Sequence, residues 1–246
     1  MAYRRLVRFR ERNDVFYGDL LETRGDEFLV RKFLGDPFDA LQETDEILKT
    51  KELPLPKYPS VFLKPADALT GPFDVVPTHP DTREMLDYEG ELVIVIGKEG
   101  KNVEESEALD YVLGFTAGND VSARNYQLPE VSGGQFSYAK SFDCFAPIGH
   151  TITATTQVPD PLAARITTKV NGVIKQDSNT NDLIFSVRRI ISHLSRGTTL
   201  RKGTVIMTGT PSGVGYFRKE FLQDGDVVEV EIEGIGKTRN IISFLD

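Results

Sequence analysis

The hydrophobic pattern of the chain is most distinctive between Leu86 and Gly97. Every residue from Leu92 to Ile96 is aliphatic, and a glycine follows directly. An unbroken aliphatic run of this length is typical of a strand that is buried on both faces. Because side chains alternate along a strand, Glu89 and Glu91 are predicted to project to the same side at the mouth of this strand.

The start of the chain alternates short β-like runs with turn signals. The runs lie at residues 5–10, 15–21 and 27–33, with turns at 13–14 and 24–26 between them. This alternation predicts a small antiparallel meander. The apolar residues between 39 and 48 are spaced as in a short amphipathic helix, which is predicted to follow the meander.

Three prolines, at positions 54, 56 and 59, then interrupt regular structure. Proline removes a backbone donor and fixes φ, so neither a helix nor a central strand continues through such a stretch. We therefore place a boundary near Lys57. A small N-terminal β-rich domain at 1–57 is predicted to precede a larger domain at 58–246.

The larger domain combines many predicted strands with few helices. Helices are predicted at 104–112, ending near Gly114, and at 182–194. Asn171-Gly172 is a strong hairpin signal, with a strand predicted at 165–170 before it. Later strands are predicted at 205–207, 227–232 and 241–244. This order of elements favours an α+β fold over a doubly wound sheet.

Composition and charge narrow the class of partner. The formal net charge of −8 at pH 7 argues against binding the phosphate backbone of a nucleic acid. No apolar segment approaches the roughly 20 residues needed to cross a bilayer, so we expect no membrane partner. Cys144 is the single cysteine, which excludes an intramolecular disulfide. We expect a cytoplasmic protein, with mitochondria as the alternative compartment.

Glu89 and Glu91 are the first candidates for chemistry. Two carboxylates held together against apolar surface repel each other and lose hydration, unless one is protonated or a cation lies between them. A hard divalent cation with oxygen ligands is a suitable partner. The alternative is a solvated strand end, with Lys98 and Lys101 as surface partners. Asp120, in a polar bend after a glycine, is a third acid, with a turn or helix cap as its alternative role.

Two further features are suited to an anion. Lys140 lies among aromatic residues; it would ordinarily extend to water, but beside a metal-bound anion it would supply positive charge. The glycine-rich segment Thr208–Gly215 follows a buried strand directly, so its backbone N–H groups can approach an anion closely. A plain Gly/Pro turn is the alternative. The chain has no G-x-x-x-x-G-K-[ST] motif, which excludes a nucleotide-binding P-loop.

Taken together, these segments resemble the fumarylacetoacetate hydrolase superfamily. The resemblance extends from about Val61 to the C-terminus and rests on four segments in family order, at residues 86–97, 118–124, 139–143 and 208–215. It implies that the larger domain is a mixed β-sandwich roll and the catalytic domain, with the small β meander before it. It also implies a homodimer.

The resemblance further implies a metal site. By matching position, Glu89, Glu91 and Asp120 would hold Mg²⁺ or Mn²⁺. In such enzymes the metal chelates a small 2-oxo acid or a 1,3-dicarbonyl compound, which offers two hard oxygens to its open positions.

The same resemblance suggests roles for residues around the metal. Lys140 matches the lysine that stabilises the enolate, and Gly209 and Thr210 belong to the Thr-Gly-Thr loop that holds the substrate carboxylate. Arg124 and Gln127 match residues that lie beside the same pocket in the family. We therefore expect these residues to form the catalytic and substrate-binding set.

One family segment is missing at the expected place. Active hydrolases of this superfamily generally carry V-G-x-N-Y-x-x-H-x-x-E shortly before the position of Phe62, and its histidine and glutamate form a lid that activates water. This chain has no such segment there. His79, His150 and His193 lie in other sequence contexts, and we expect each of them to be structural.

Three functions therefore stay open. The first is a metal-dependent hydrolase that cleaves the C–C bond of an acylpyruvate or a similar diketo acid. The second is an oxaloacetate tautomerase or decarboxylase, for which the metal and Lys140 suffice because only enolisation is needed. The third is an inactive remnant that keeps the metal pocket. The presence of all three acids and Lys140 argues against the third.

Overall fold

The computed structural model describes residues 6–11, 14–24, 27–36, 40–50, 56–158 and 163–246. Contacts within the chain divide it into two compact units, Met1–Lys57 and Tyr58–Asp246. Across these described ranges, no helix is both long enough and apolar enough to cross a bilayer.

The N-terminal unit contains a four-stranded antiparallel meander in the order β1-β2-β3-β4. Its strands are β1 Leu6–Glu11, β2 Asp14–Arg24, β3 Glu27–Asp36 and β4 Ala40–Thr50. Val30 and Phe33 of β3 are buried. The predicted meander is therefore confirmed for its first three strands.

The fourth strand shows that the helix predicted at 39–48 was wrong; of that segment, residue 39 lies outside the described residues. Residues of β4 pair with β3, with Asp36 opposite Ala40 and Phe28 opposite Thr50. The segment is short, and its few apolar residues fit a helical period and a strand period about equally well. A neighbouring strand offers a row of backbone partners, and this tertiary pairing outweighs the local preference.

Strands also dominate the second unit. In chain order, those described there are β5 Leu69–Thr70, β6 Val75–Thr78, β7 Leu86–Asp87, β8 Gly90–Ile96, β9 Val112–Asn119, β10 Ser122–Ala123, β11 Ala146–Pro147, β12 Arg165–Val170, β13 Val173–Asn179, β14 Val205–Met207, β15 Val227–Ile232 and β16 Gly236–Phe244.

Two sheets carry the core of this unit. One has five strands in the order β13-β12-β15-β16-β6, antiparallel except for the parallel β16-β6 pair. The other is the antiparallel sheet β14-β8-β9. Leu92, Ile94 and Phe115 of the three-stranded sheet share one buried cluster with Ile166 and Val230 of the five-stranded sheet. The unit is thus an α+β structure in which two sheets pack on each other, as expected.

Regular helix is scarce. The α-helices described are α1 Pro129–Ser132, α2 Val187–Ser195 and α3 Gly215–Arg218. Single 3₁₀ turns lie at Ala66–Ala68, Pro80–Thr82, Ala108–Tyr111, Arg124–Gln127, Tyr138–Lys140, Thr155–Gln157 and Thr180–Asp182.

Helix α2 begins later than the helix predicted at 182–194. Ser186 caps its N-terminus, where Ser186 Oγ accepts from the N–H of Arg189 at 3.2 Å. Residues 180–182 form a separate 3₁₀ turn before this cap. Ile190 and Ile191 are buried, so the helix packs one face on the core, as its spacing predicted.

The helix predicted at 104–112 was wrong apart from one 3₁₀ turn at Ala108–Tyr111. Val112 already belongs to β9, where it pairs with Ile96 of the buried strand β8. Backbone pairing with a central strand satisfies the polar groups of this segment, so the helix does not extend. By contrast, the hairpin predicted at Asn171-Gly172 is confirmed: φ is 50° and 78° at these residues, as a type I′ turn requires.

Candidate active site

Strand β8 brings separate parts of the chain together because it lies between β9 and β14. Gly90 pairs with Asn119, and Asn119 Oδ1 accepts from the N–H of Glu89 at 3.0 Å. The N–H of Asp120 donates to the carbonyl of Glu89 at 2.8 Å. On the opposite edge, β14 leads into the Thr208–Gly215 segment, and the N–H of Thr208 donates to Leu92 O at 3.1 Å. Sheet pairing thus places Asp120 and this segment on opposite sides of β8.

Three buried carboxylates converge at the start of β8. One oxygen each from Glu89, Glu91 and Asp120 lies within 4.8 Å of the others. The three residues are 8%, 2% and 7% exposed, respectively. Such an arrangement is costly without compensating positive charge, because each carboxylate is desolvated and repels the other two.

Two lysines approach this cluster. Lys140 Nζ lies 3.0 Å from Glu89 Oε2 and 2.7 Å from Asp120 Oδ2, and it donates to Ser122 Oγ at 2.8 Å. Lys64 Nζ lies 2.6 Å from Asp120 Oδ1. Both oxygens of Asp120 therefore contact an ammonium group. Lys64 was not among the residues expected at the site, although it stands in the segment at which the family resemblance begins.

The three carboxylates differ in their electrostatic surroundings. Burial, together with the charges of Asp120 and Glu89, raises the pKa of Glu91 well above its ordinary value. Burial acts in the same direction on Glu89, but the charges of Lys140 and Arg124 outweigh it and lower the pKa of Glu89 to about 2. Glu89 and Asp120 each contact two cationic side chains, whereas burial and the neighbouring negative charges dominate at Glu91.

Arg124 contacts one carboxylate of the cluster and also Asp87, a buried carboxylate outside the cluster. Its Nη1 lies 2.6 Å from Glu89 Oε1, and its Nε donates to Asp87 Oδ2 at 2.8 Å. Asp87 is fully buried and also accepts from the N–H groups of Gly215 and Tyr216, at 2.7 and 2.9 Å. Asp87 therefore ties Arg124 to the end of the glycine-rich segment. Arg124 was expected at the site, whereas Asp87 was not.

One donor of this guanidinium is still free. Arg124 Nη1 donates to Gln127 Oε1 at 3.0 Å, but the buried Nη2 has no hydrogen-bond partner in the described part of the chain. A buried guanidinium donor without an acceptor is costly, so this group is suited to an anion that enters the site.

The Thr-Gly-Thr loop contacts the same cluster from the other side. The N–H of Gly209 donates to Glu91 Oε2 at 2.7 Å. Thr210 Oγ1 donates to the carbonyl of Gly90 at 3.0 Å. All eight residues expected to form the site thus lie close together in the described structure. Lys140, Arg124 and Gly209 contact the carboxylates of the cluster directly. Gln127 is linked to the cluster through Arg124, and Thr210 contacts the backbone of Gly90 between the two glutamates.

The donor set fits a hard divalent cation. It consists only of carboxylate oxygens, the ligands that Mg²⁺ and Mn²⁺ prefer, and these oxygens converge. Neighbouring backbone and amide groups also hold the ligands in place, which is usual around metal sites.

None of the three histidines belongs to this group of contacts. The ring of His79 is largely exposed and lies 3.5 Å from Asp81, and His150 is on the surface beside the carbonyl of Lys237. His193 lies on α2 and stacks on Tyr58, with 5.4 Å between the ring centroids. The structural roles expected for them stay a prediction.

Gly90, which stands between the two glutamates, has to be a glycine because neighbouring strands pack closely against it. A Cβ at this position would lie 2.1 Å from Thr168 Oγ1, 3.1 Å from Gln176 Oε1 and 3.2 Å from Val230 Cγ1. Thr168 Oγ1 is itself buried without a hydrogen-bond partner among the described residues. The strand bearing the glutamates therefore packs directly on β12, β13 and β15.

We expect Gly90→Ala to destabilise the protein by about 1–3 kcal/mol, because overpacking forces the surrounding strands apart. Urea denaturation measures this change in the free energy of unfolding. Thr168→Ala removes the nearest atom, so the double variant Gly90→Ala/Thr168→Ala should regain part of the loss. Equal stabilities of the single and double variants would contradict the steric explanation.

Comparison with known proteins identifies related sequences. Residues 38–243 match the family model described as Fumarylacetoacetate (FAA) hydrolase C-terminal. An uncharacterized protein of Archaeoglobus fulgidus is 46% identical over 194 residues, which cover 79% of this chain and 73% of that protein. Oxaloacetate tautomerase FAHD2A, mitochondrial, of Bos taurus is 42% identical over 190 residues, which cover 76% of this chain and 60% of that protein. The chain thus spans less than two thirds of the length of this second relative.

Solved structures show the same fold. The 5-carboxymethyl-2-hydroxymuconate delta-isomerase of Mycobacterium smegmatis superimposes with a TM-score of 0.71 at 32% identity, over 98% of this chain and 100% of that one. Fumarylpyruvate hydrolase of Pseudomonas aeruginosa, in complex with Mn²⁺ and pyruvate, gives a TM-score of 0.66 at 32% identity. That match covers 75% of this chain and 78% of the hydrolase.

Proposed function

Because the chain belongs to the fumarylacetoacetate hydrolase family, we propose that it is a divalent-metal-dependent enzyme that enolises a small 2-oxo acid, with oxaloacetate tautomerisation as its reaction. The observation that carries this proposal is the position of Lys140 Nζ, 3.0 Å from Glu89 and 2.7 Å from Asp120. An ammonium group is thereby placed at the carboxylates that would hold the metal.

Glu89, Glu91 and Asp120 would hold Mg²⁺ or Mn²⁺. A bound divalent ion polarises the oxygens of a chelated 2-oxo acid and so favours loss of a proton from the neighbouring carbon. The acidic cluster supplies hard oxygen ligands for such an ion. The Mn²⁺ and pyruvate bound by the related fumarylpyruvate hydrolase support this assignment.

The charges of the site support an anionic substrate. The raised pKa of Glu91 favours a proton on this carboxylate, which a divalent ion would displace. With every group ionised, the four buried carboxylates, including Asp87, and the three cations Lys64, Arg124 and Lys140 leave one negative charge in excess. A divalent ion would reverse this balance to one positive charge. An anionic 2-oxo acid would then enter an attractive field.

The cationic groups have distinct parts in this proposal. Lys140 supplies positive charge where the enolate oxygen develops, an effect that is strong in a buried, preorganised site. Arg124 Nη2, which is buried and free of an acceptor in the described structure, is suited to the substrate carboxylate. The Thr210 loop would hold the same end of the substrate.

Tautomerisation is preferred over hydrolysis because it needs only proton transfer between carbon and oxygen. Hydrolysis also needs an activated water, and the described histidines lie in contacts of their own away from the cluster. The similarity to an oxaloacetate tautomerase supports the same choice. Hydrolysis of an acylpyruvate is the second candidate, favoured by the similarity to fumarylpyruvate hydrolase.

The homodimer that the family resemblance implies for this protein stays a prediction.

Purified protein with Mn²⁺ is expected to accelerate the keto–enol conversion of oxaloacetate, followed by the ultraviolet absorbance of the enol. EDTA in excess should return the rate to the uncatalysed value. Pyruvate is measured in the same samples, and acetylpyruvate is offered as the hydrolase substrate. Mn²⁺ without protein is the control, because free metal ions also promote enolisation.

The candidate functions predict different outcomes. Metal-dependent loss of enol without pyruvate supports a tautomerase, whereas pyruvate from oxaloacetate indicates a decarboxylase. Pyruvate from acetylpyruvate would replace the proposal by a C–C hydrolase. Protein that binds Mn²⁺ and changes neither substrate would be the inactive remnant.

A further inference from the structure

Gln176 is a buried amide on β13, outside every segment that carried the family resemblance. The residue is 1% exposed. Its Oε1 accepts from the N–H of Gly90 at 2.9 Å, and its Nε2 donates to Thr210 Oγ1 at 2.8 Å and to Pro211 O at 2.9 Å. Because a backbone N–H only donates and a carbonyl only accepts, these partners determine the orientation of the amide.

These contacts close a ring. Thr210 Oγ1 accepts from Gln176 and donates its own proton to the carbonyl of Gly90, whose N–H donates back to Gln176. Gly90 separates the two glutamates of the carboxylate cluster, and Thr210 belongs to the loop proposed to hold the substrate carboxylate. The ring therefore joins the strand of the metal ligands to the substrate loop.

We infer that Gln176 is a positioning residue that sets the distance between the carboxylate cluster and the substrate-binding loop. This inference rests on the proposed function. The single hydroxyl proton of Thr210 is donated to Gly90, so the ring fixes the position of the loop, whose backbone N–H groups would meet the substrate carboxylate.

The ring should affect substrate binding more than chemistry. Lys140 is held by Ser122, Glu89 and Asp120, and Gln176 is not among its contacts. Loss of the amide therefore leaves the enolate-stabilising charge in place. It releases the loop, so we expect a higher KM and a nearly unchanged kcat.

The test compares two buried amides of one sheet. Gln176→Met removes three hydrogen bonds at nearly constant volume. Asn240 on β16 is the matched control: it is also 1% exposed and makes three hydrogen bonds, but to Gly71, Asp74 and Thr238, away from the carboxylate cluster. Asn240→Leu thus reproduces the loss of a buried amide without touching the ring.

Two readouts are measured for each variant. Calorimetry gives the affinity for Mn²⁺ and, with Mn²⁺ present, for oxalate, a planar dianion that resembles an enolised 2-oxo acid and needs no turnover. Kinetics with oxaloacetate gives kcat and KM. We expect Gln176→Met to weaken oxalate binding and raise KM by about tenfold, the equivalent of one or two lost hydrogen bonds. Asn240→Leu should leave both values close to those of the unmodified protein.

A double-mutant cycle tests whether Gln176 acts through Thr210. Thr210→Val removes the hydroxyl from the ring, so adding Gln176→Met to it should weaken oxalate binding little further. Should Gln176→Met fail to fold, Gln176→Asn, which keeps the amide but withdraws it by one methylene, is measured in the same way.

The outcomes separate this inference from the proposed function. Unchanged oxalate affinity in a folded Gln176 variant, equal losses in the Gln176 and Asn240 variants, or additive effects in the cycle would each overturn the positioning role. Unmodified protein that binds Mn²⁺ but neither binds oxalate nor converts oxaloacetate would overturn the proposed function, and the positioning role with it.

Discussion

Asp120→Asn is expected to weaken Mn²⁺ binding by more than about 100-fold and to abolish metal-dependent turnover at ordinary metal concentrations. Changes to groups that merely support metal ligands already cost about 10- to 100-fold. Asp120 is proposed as a direct ligand, and both its oxygens contact lysines, at 2.6 and 2.7 Å. Asparagine keeps the shape of the side chain but removes its charge. The lysines Lys64 and Lys140 would then add uncompensated positive charge that repels the metal.

Calorimetric titration of the apoprotein with Mn²⁺ measures this effect directly. Asp177→Asn is the control, because Asp177 undergoes the same chemical change in an exposed ion pair with Arg165. That variant should bind Mn²⁺ as the unmodified protein does. If Asp120→Asn retained full metal affinity, Asp120 would not be a ligand, and the three-carboxylate site would have to be abandoned.

Lys140→Met is expected to reduce kcat by about 100- to 1,000-fold while the metal stays bound. Removing one preorganised electrostatic contact to a developing negative charge typically costs this much. Lys140 is 3% exposed, and its ammonium group contacts Glu89 and Asp120. Because that ammonium competes with a cation for the same carboxylates, we expect Mn²⁺ to bind at least as tightly after the change.

The same calorimetric titration and the oxaloacetate assay separate these two effects. Lys98→Met serves as the control, since Lys98 is an exposed lysine that lies over the ring of Tyr111, 4.5 Å from its centroid. A Lys140 variant that turned over substrate at the normal rate would show that this lysine only balances buried charge. If both Mn²⁺ binding and the rate were lost, Lys140 would be needed to hold the carboxylates in place rather than to stabilise the enolate.

Local patterns predicted the strands well and the helices poorly. The aliphatic run of β8 and the turn at Asn171-Gly172 determine their structure within a few residues, through side-chain alternation and backbone conformation. The segments at 39–48 and 104–112 became β4 and the start of β9 because neighbouring strands supplied backbone partners. Such partners are not visible in a local window.

The residues of the candidate site also fall into those that the sequence predicted and those that only the structure revealed. The sequence alone placed Glu89 and Glu91 on one side of a strand, and the order of four motifs added Asp120, Lys140, Arg124 and the Thr210 loop through family resemblance. Lys64, Asp87 and Gln176 carried no local signal. Their partners lie far away along the chain: 56 residues separate Lys64 from Asp120, and 86 separate Gln176 from Gly90.

The sequence by itself thus determined which residue types are present and which strand carries the first two acids, because alternation along a strand is a property of the local backbone. Only the tertiary structure decided which cationic side chain contacts which carboxylate. It also decided which amide links the strand of the glutamates to the Thr210 loop. Those contacts form when β9 and β14 pair with β8 and when the five-stranded sheet packs beneath Gly90. Their geometry depends on the whole second unit rather than on any one segment.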